Sequence, residues 1–210
     1  MFLYGGNILF YILIISLFKM PEADDFLDKN ALLLTLTSYT AVTDFNLNLL
    51  KYYANQKDYG CVYVSINRPY RSIISELGSR SIKIENVYII DMVSKIEKMQ
   101  EVNERVLFIS APTSLTETSI AIESALASIK NNRKIVIFES TSTMSLYNGE
   151  KKMISFFHFL INRLRDYDSK LAIISTKDRS SDFVKQLVQF CDMHLEINDD
   201  ISIPWINQKV

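Results

Sequence analysis

The chain has 210 residues, 48% hydrophobic and 22% charged, with 23 Lys plus Arg against 24 Asp plus Glu. That balance excludes a disordered chain, fills a sizeable core, and leaves a formal charge of -1 with no basic footprint for nucleic acid. Five Gly and four Pro exclude low-complexity or collagen-like structure, and two cysteines (Cys61 and Cys191) cannot make a disulfide framework, so they read as reduced core thiols of a cytoplasmic domain.

The first element is the uncharged run Phe2–Phe18, FLYGGNILFYILIISLF, at the short limit for a bilayer-spanning helix. It lacks a preceding basic residue, and Leu17-Phe18-Lys19-Met20 is no cleavage motif, so a secretory signal is excluded. Three readings stay open for residues 1–19. They are a membrane anchor, a buried hydrophobic arm, or a mis-assigned start with Met20 as the true first residue. As an anchor, the run followed by Lys19 places the rest on the cytoplasmic side. Residues 20–30 read as a linker, 31–200 as one domain and 201–210 as a tail.

Within the domain, apolar runs rich in Val, Ile and Tyr mark strands at Ala31–Leu36, Gly60–Ile66, Val87–Asp91, Val106–Ser110, Lys134–Phe138, Leu171–Ser175 and His194–Ile197. Helical patterns lie between them at Phe45–Gln56, at Pro69–Leu77 with Gly78 as a stop, after Ser114, at Asn148–Asp166 and at Ser181–Phe190. Ser114-Leu115-Thr116-Glu117 has the spacing of a capping box. Alternation of this kind predicts an α/β fold, a mostly parallel sheet covered by helices on both faces.

In such a sheet, ligands bind at the carboxyl ends of the strands. The residues there are Thr37–Asp44 after the first strand, Asn67-Arg68-Pro69 after the second, and Glu139 to Thr143, a polar loop, after the fifth run. On local chemistry, Thr43 or Asp44 reads as the N-cap of the first helix. Arg68 reads as a helix opener or the partner of a surface acid, Glu139 as a polar strand cap, and Asp91 as a turn anchor. His158, between Phe157 and Phe159, reads as a core or boundary residue. The aromatic stripe Phe156, Phe157 and Phe159 reads as core, with a partner groove as the minor alternative.

The stretches LLLTLTSYTAVTDFNLNLLKYY, CVYVSINRP, VYIIDMVS, KIVIFESTSTM and FFHFLINRLRDYDSKLAIIST, in this order, resemble the RecA/KaiC-type P-loop ATPases, in particular degenerate KaiC-like proteins of archaea. The resemblance covers roughly residues 30–198 and implies a RecA-like three-layer α/β/α sandwich. It also implies side-by-side association, with itself or with an active KaiC-like ATPase.

The departures from that family are chemical. A phosphate loop reads G-x-x-x-x-G-K-[ST], but Thr37–Asp44 holds no Gly and no Lys. Asp44 falls at or beside the Lys position, where a carboxylate ~4 Å from a phosphate repels it by about 4 kcal/mol at intermediate dielectric. Asn67-Arg68 stands where the family carries water-activating acids, and neither is a base at neutral pH. Glu139 takes the Walker B aspartate position.

The expectation is therefore a catalytically inactive KaiC-like domain acting as a binding or regulatory module through protein association, with no ATP or magnesium. The alternative is an ATP/ADP-binding protein whose remodelled pocket uses Thr40, Thr43, Asp44, Asn67, Arg68 and Glu139. A third is a single-stranded nucleic-acid binder, which the neutral charge disfavours.

Overall fold

The computed structural model describes residues 30–36, 42–56, 59–94, 103–176 and 181–197. The run at 2–18, most of the linker, the tail and Thr40 lie outside them. Seven strands form one sheet: β1 (Ala31–Leu36), β2 (Gly60–Ser65), β3 (Val87–Asp91), β4 (Val106–Phe108), β5 (Lys134–Phe138), β6 (Ser169–Ser175) and β7 (Met193–Ile197). Their order is β4-β3-β2-β5-β6-β1-β7, and every pairing is parallel. The α/β sandwich expected from the alternation is present.

Helices α1 (Val42–Lys51) and α2 (Tyr70–Ser79) follow β1 and β2. Helices α3 (Leu115–Ser128), α4 (Thr141–Asn148), α5 (Glu150–Asp166) and α6 (Asp182–Val188) follow later strands. From β1 to β4 the chain steps towards one edge, and from β4 to β7 it steps back. Because parallel crossovers are right-handed, this reversal puts the two sets of helices on opposite faces. Two separate cores result. One holds Leu32 and Leu34 with Phe45, Leu50, Ile73 and Leu77 of α1 and α2. The other holds Leu33, Val64 and Phe138 with Ile122, Phe157 and Phe183 of α3, α5 and α6. Alternate residues of each strand feed alternate cores, which explains the continuous apolar runs.

Several local expectations are corrected. The first helix starts at Val42 and passes into a π-helical turn at Tyr52–Gln56. Thr43 and Asp44 therefore sit in its first turn and are not its N-cap. Asp44 still favours the helix there, since a carboxylate complements the positive end of the dipole. Helix α2 runs through Gly78 to Ser79, with Arg80 as its C-cap. The polar loop expected after Glu139 is instead a helix: Ser140 caps α4 by accepting from the Thr143 N–H at 3.2 Å.

The capping box at Ser114 is not formed. The Glu117 carboxylate reaches back to the Ser110 N–H at 3.1 Å, and the Ser114 hydroxyl pairs with the Ser110 hydroxyl. Phe156 and Phe157 are core, stacked edge-on against Phe138, but Phe159 is 55% exposed. His158 lies on the outer side of α5 with its ring 4.5 Å from that of Phe190. Among the described residues, no helix is long and apolar enough to cross a membrane.

Phe157 is fully buried at the centre of the second core. Phe157→Ala is expected to lower unfolding free energy by about 3–5 kcal/mol, read as a fall in denaturant midpoint. Burial pushes the Cys61 thiol far up, and the Cys191 thiol is pushed up to about 12 by burial, with Asp192 adding and Arg165 opposing. Both thiols are expected to react with Ellman's reagent at pH 8 only slowly until the chain is unfolded by denaturant, because the thiolate is the nucleophile.

Candidate functional site

The strand order reverses between β2 and β5, neighbours whose following helices lie on opposite faces. Such a reversal opens a crevice at the carboxyl ends of the strands, the usual ligand site of an open parallel sheet. In this chain, side chains from both strand ends fill that position. Glu139, directly after β5, is 2% exposed. Its Oε2 accepts the Ser65 hydroxyl at 2.8 Å and the N–H groups of Ile66 and Asn67 at 3.0 Å each. Its Oε1 accepts from Arg68 Nε at 3.1 Å.

Arg68 is shared between two acids. While Nε holds Glu139, Nη1 donates to both carboxylate oxygens of Glu76 on α2 at 2.9 Å. Nη2 approaches the buried Tyr63 hydroxyl at 3.4 Å. Burial alone would lower the Arg68 pKa, but Tyr63, Glu139 and the Glu76 bond outweigh it, so the guanidinium is held as a cation. Tyr63 is held as the neutral phenol, first by burial and then by Glu139, against the pull of Arg68. A buried carboxylate without a cation would be costly, and Arg68 with three further donors supplies the compensation.

Two neighbouring acceptors complete this edge. Asp91, fully buried at the end of β3, accepts from the Val93 and Ser94 N–H groups at 2.7 and 2.9 Å, anchoring the turn as expected. Its second oxygen accepts from the Tyr70 N–H at 2.8 Å. Pro69 precedes that helix and carries no capping side chain, so β3 caps α2 from outside. On the other side of β5, Asn46 of α1 is fully buried and donates through Nδ2 to the Glu139 carbonyl at 3.0 Å. Its Oδ1 has no partner among the described residues.

Of the six residues singled out from the sequence, Asn67, Arg68 and Glu139 are brought together. Asn67 contributes its backbone N–H, not its side chain. Arg68 pairs with a buried acid as well as with Glu76, where a surface acid alone was expected. Thr43 is exposed, and Asp44 turns outward to Arg80 with its side chain 62% exposed. Thr40 lies outside the described residues. Ser65, Glu76 and Asn46 escaped the sequence reading. Asn46 alone left a signal, as a polar residue between Phe45 and Leu47 on the apolar face of α1.

The sheet order and the opposed helix layers form an α/β sandwich that shares the RecA-like fold of a KaiC-like neighbour. It matches the crystal structure of a KaiC-like protein from the hyperthermophilic archaeon Pyrococcus horikoshii OT3 with a TM-score of 0.59 at 15% identity, over 83% of this chain and 75% of that one. At that identity the likeness shows the fold alone. No family model matches the chain, and no curated protein matches it.

Both oxygens of Glu139 are engaged, and a metal at this carboxylate would meet the Arg68 cation. Glu139→Ala, which removes the acceptor of buried donors while Arg68 keeps Glu76, is expected to destabilise the fold by about 1–3 kcal/mol in chemical denaturation. Asp44→Ala, which breaks only an exposed pair, is expected to cost under about 1 kcal/mol.

Proposed function

We propose that the chain is a non-hydrolysing KaiC-like domain that serves as a binding or regulatory module through protein association. The observation that carries this reading is the closed Glu139–Arg68–Glu76 cluster at the reversal of strand order. Hydrolysis of a nucleotide needs a carboxylate free to order a metal or a water at this edge. Here the carboxylate nearest the crevice spends its lone pairs on its own chain, and the residue beside it is a permanent cation. The lack of Gly and Lys in Thr37–Asp44 supports the same reading from the sequence. The family resemblance makes a second copy or an active KaiC-like ATPase the partner class.

The test is phosphate release from ATP and magnesium, together with calorimetric titration of the full chain. The expected result is release equal to a protein-free control and a Kd for ATP weaker than about 100 μM, roughly 5.5 kcal/mol of binding. Release that disappears in a folded Glu139→Gln variant would overturn the proposal. Binding tighter than that limit without release would replace it with the nucleotide-binding reading.

A further inference from the structure

Helices α3 and α5 border an open groove of about 640 Å³ that includes Leu115, Ile120, Phe156 and Phe159. In volume it matches a small-molecule pocket, but it is a trough lined mainly by carbon, with few convergent polar groups. Ile120 is 65% exposed and Phe159 55%. Leu146 (83%) and Tyr147 (55%) add to them at the end of α4, which the Asn148 side chain ties to the Pro112 carbonyl ahead of α3. Single exposed apolar residues are ordinary, but several on adjoining elements mark a contact surface.

Two lysines line the groove at the start of α5, beside Glu150. Lys151 and Lys152 are exposed in the first turn of α5 and form no ion pair among the described residues. Lys152, Ser155 and Phe159 follow one another at helical spacing along α5. The acid on the facing rim, Glu123, is already held by Arg163 at 2.9 Å.

The start of the described chain lies at the far end of the same helix. The Ala31 N–H donates to Asp192 Oδ2 at 2.9 Å, and Asp192 Oδ1 accepts from Arg165, in the last turn of α5, at 2.8 Å. Residues 19–30 reach at most about 40 Å when extended, and a helix the length of α5 spans about 25 Å. The uncharged run 2–18 can therefore meet the same plane as the α5 surface. That run holds no charged residue in seventeen positions, the short limit of what crosses a bilayer core.

We propose that the surface formed by α3, the end of α4 and α5 is a membrane-contact face, with Lys151 and Lys152 meeting anionic lipid headgroups and Ile120, Leu146, Tyr147 and Phe159 entering the headgroup boundary. A few apolar side chains or two lysines alone bind a membrane weakly, and stable attachment takes two signals, supplied here by the face and the run 2–18. This inference is independent of whether the crevice binds nucleotide.

The test uses the full chain carrying Cys191→Ser and Ser155→Cys, with a polarity-sensitive dye on the new thiol. Ser79→Cys on α2, on the opposite face, is the control. Vesicles are phosphatidylcholine with or without phosphatidylserine. The expected result is a blue shift at position 155, absent at 79, only with phosphatidylserine. Lys151→Glu with Lys152→Glu is expected to abolish the shift, while the chain still sediments with vesicles and melts at an unchanged temperature. A dye at 155 already shielded without vesicles would overturn the proposal in favour of the chain's own run 2–18 or a second copy on that face. Equal shifts at 155 and 79, or none at either, would overturn it as well.

Discussion

A carboxylate buried at the end of a β-strand must be compensated, and Glu139 is such a group, 2% exposed at the point where the strand order turns back. Its four donors all come from the end of β2 and the residues just after it. Glu139 thus fixes the path of the chain from β2 into α2. Arg68, held in turn by Glu76, ties that path to the body of the helix. Removing Arg68 would leave the Glu139 carboxylate without its cation in a low-dielectric setting.

The consequence for function is a matter of competition for lone pairs. In an open parallel sheet, the crevice between strands with opposed crossovers is where polar groups converge on a ligand. Here they converge on one another. Asp91 behaves similarly, spending both oxygens on N–H groups of the loop after β3 and the start of α2. The edge is rich in the residue types that phosphate and metal chemistry uses, yet those groups are committed to holding loops. In the function proposed above, the outer surfaces, not the crevice, serve recognition.

Those outer surfaces are uneven. The α1 and α2 layer packs Phe45, Leu47, Leu49 and Leu50 against the sheet with little apolar remainder. Helix α5 buries Met153, Phe157, Leu160 and Leu164 at helical spacing and turns Phe159 outward. Two adjacent aromatics, Phe156 and Phe157, already fill the inward positions against Phe138, so a third cannot follow them round the helix.

By itself the sequence determined the strands, the layered α/β class and the absence of Gly and Lys from Thr37–Asp44, because hydrophobic period and residue chemistry are local properties. Asp91 as a turn anchor was legible for the same reason, since its two turn partners lie two and three residues on. Only the tertiary structure decided what Glu139 and Arg68 do. Seventy-one residues separate them, and their contact exists only because β5 pairs with β2 across the reversal. The start of α4 is marked locally by its Ser140 cap, whereas the unformed capping box and the outward Phe159 have one cause. A helix start or a buried face is chosen by which partner lies across the fold, and that choice is not written in the neighbouring residues.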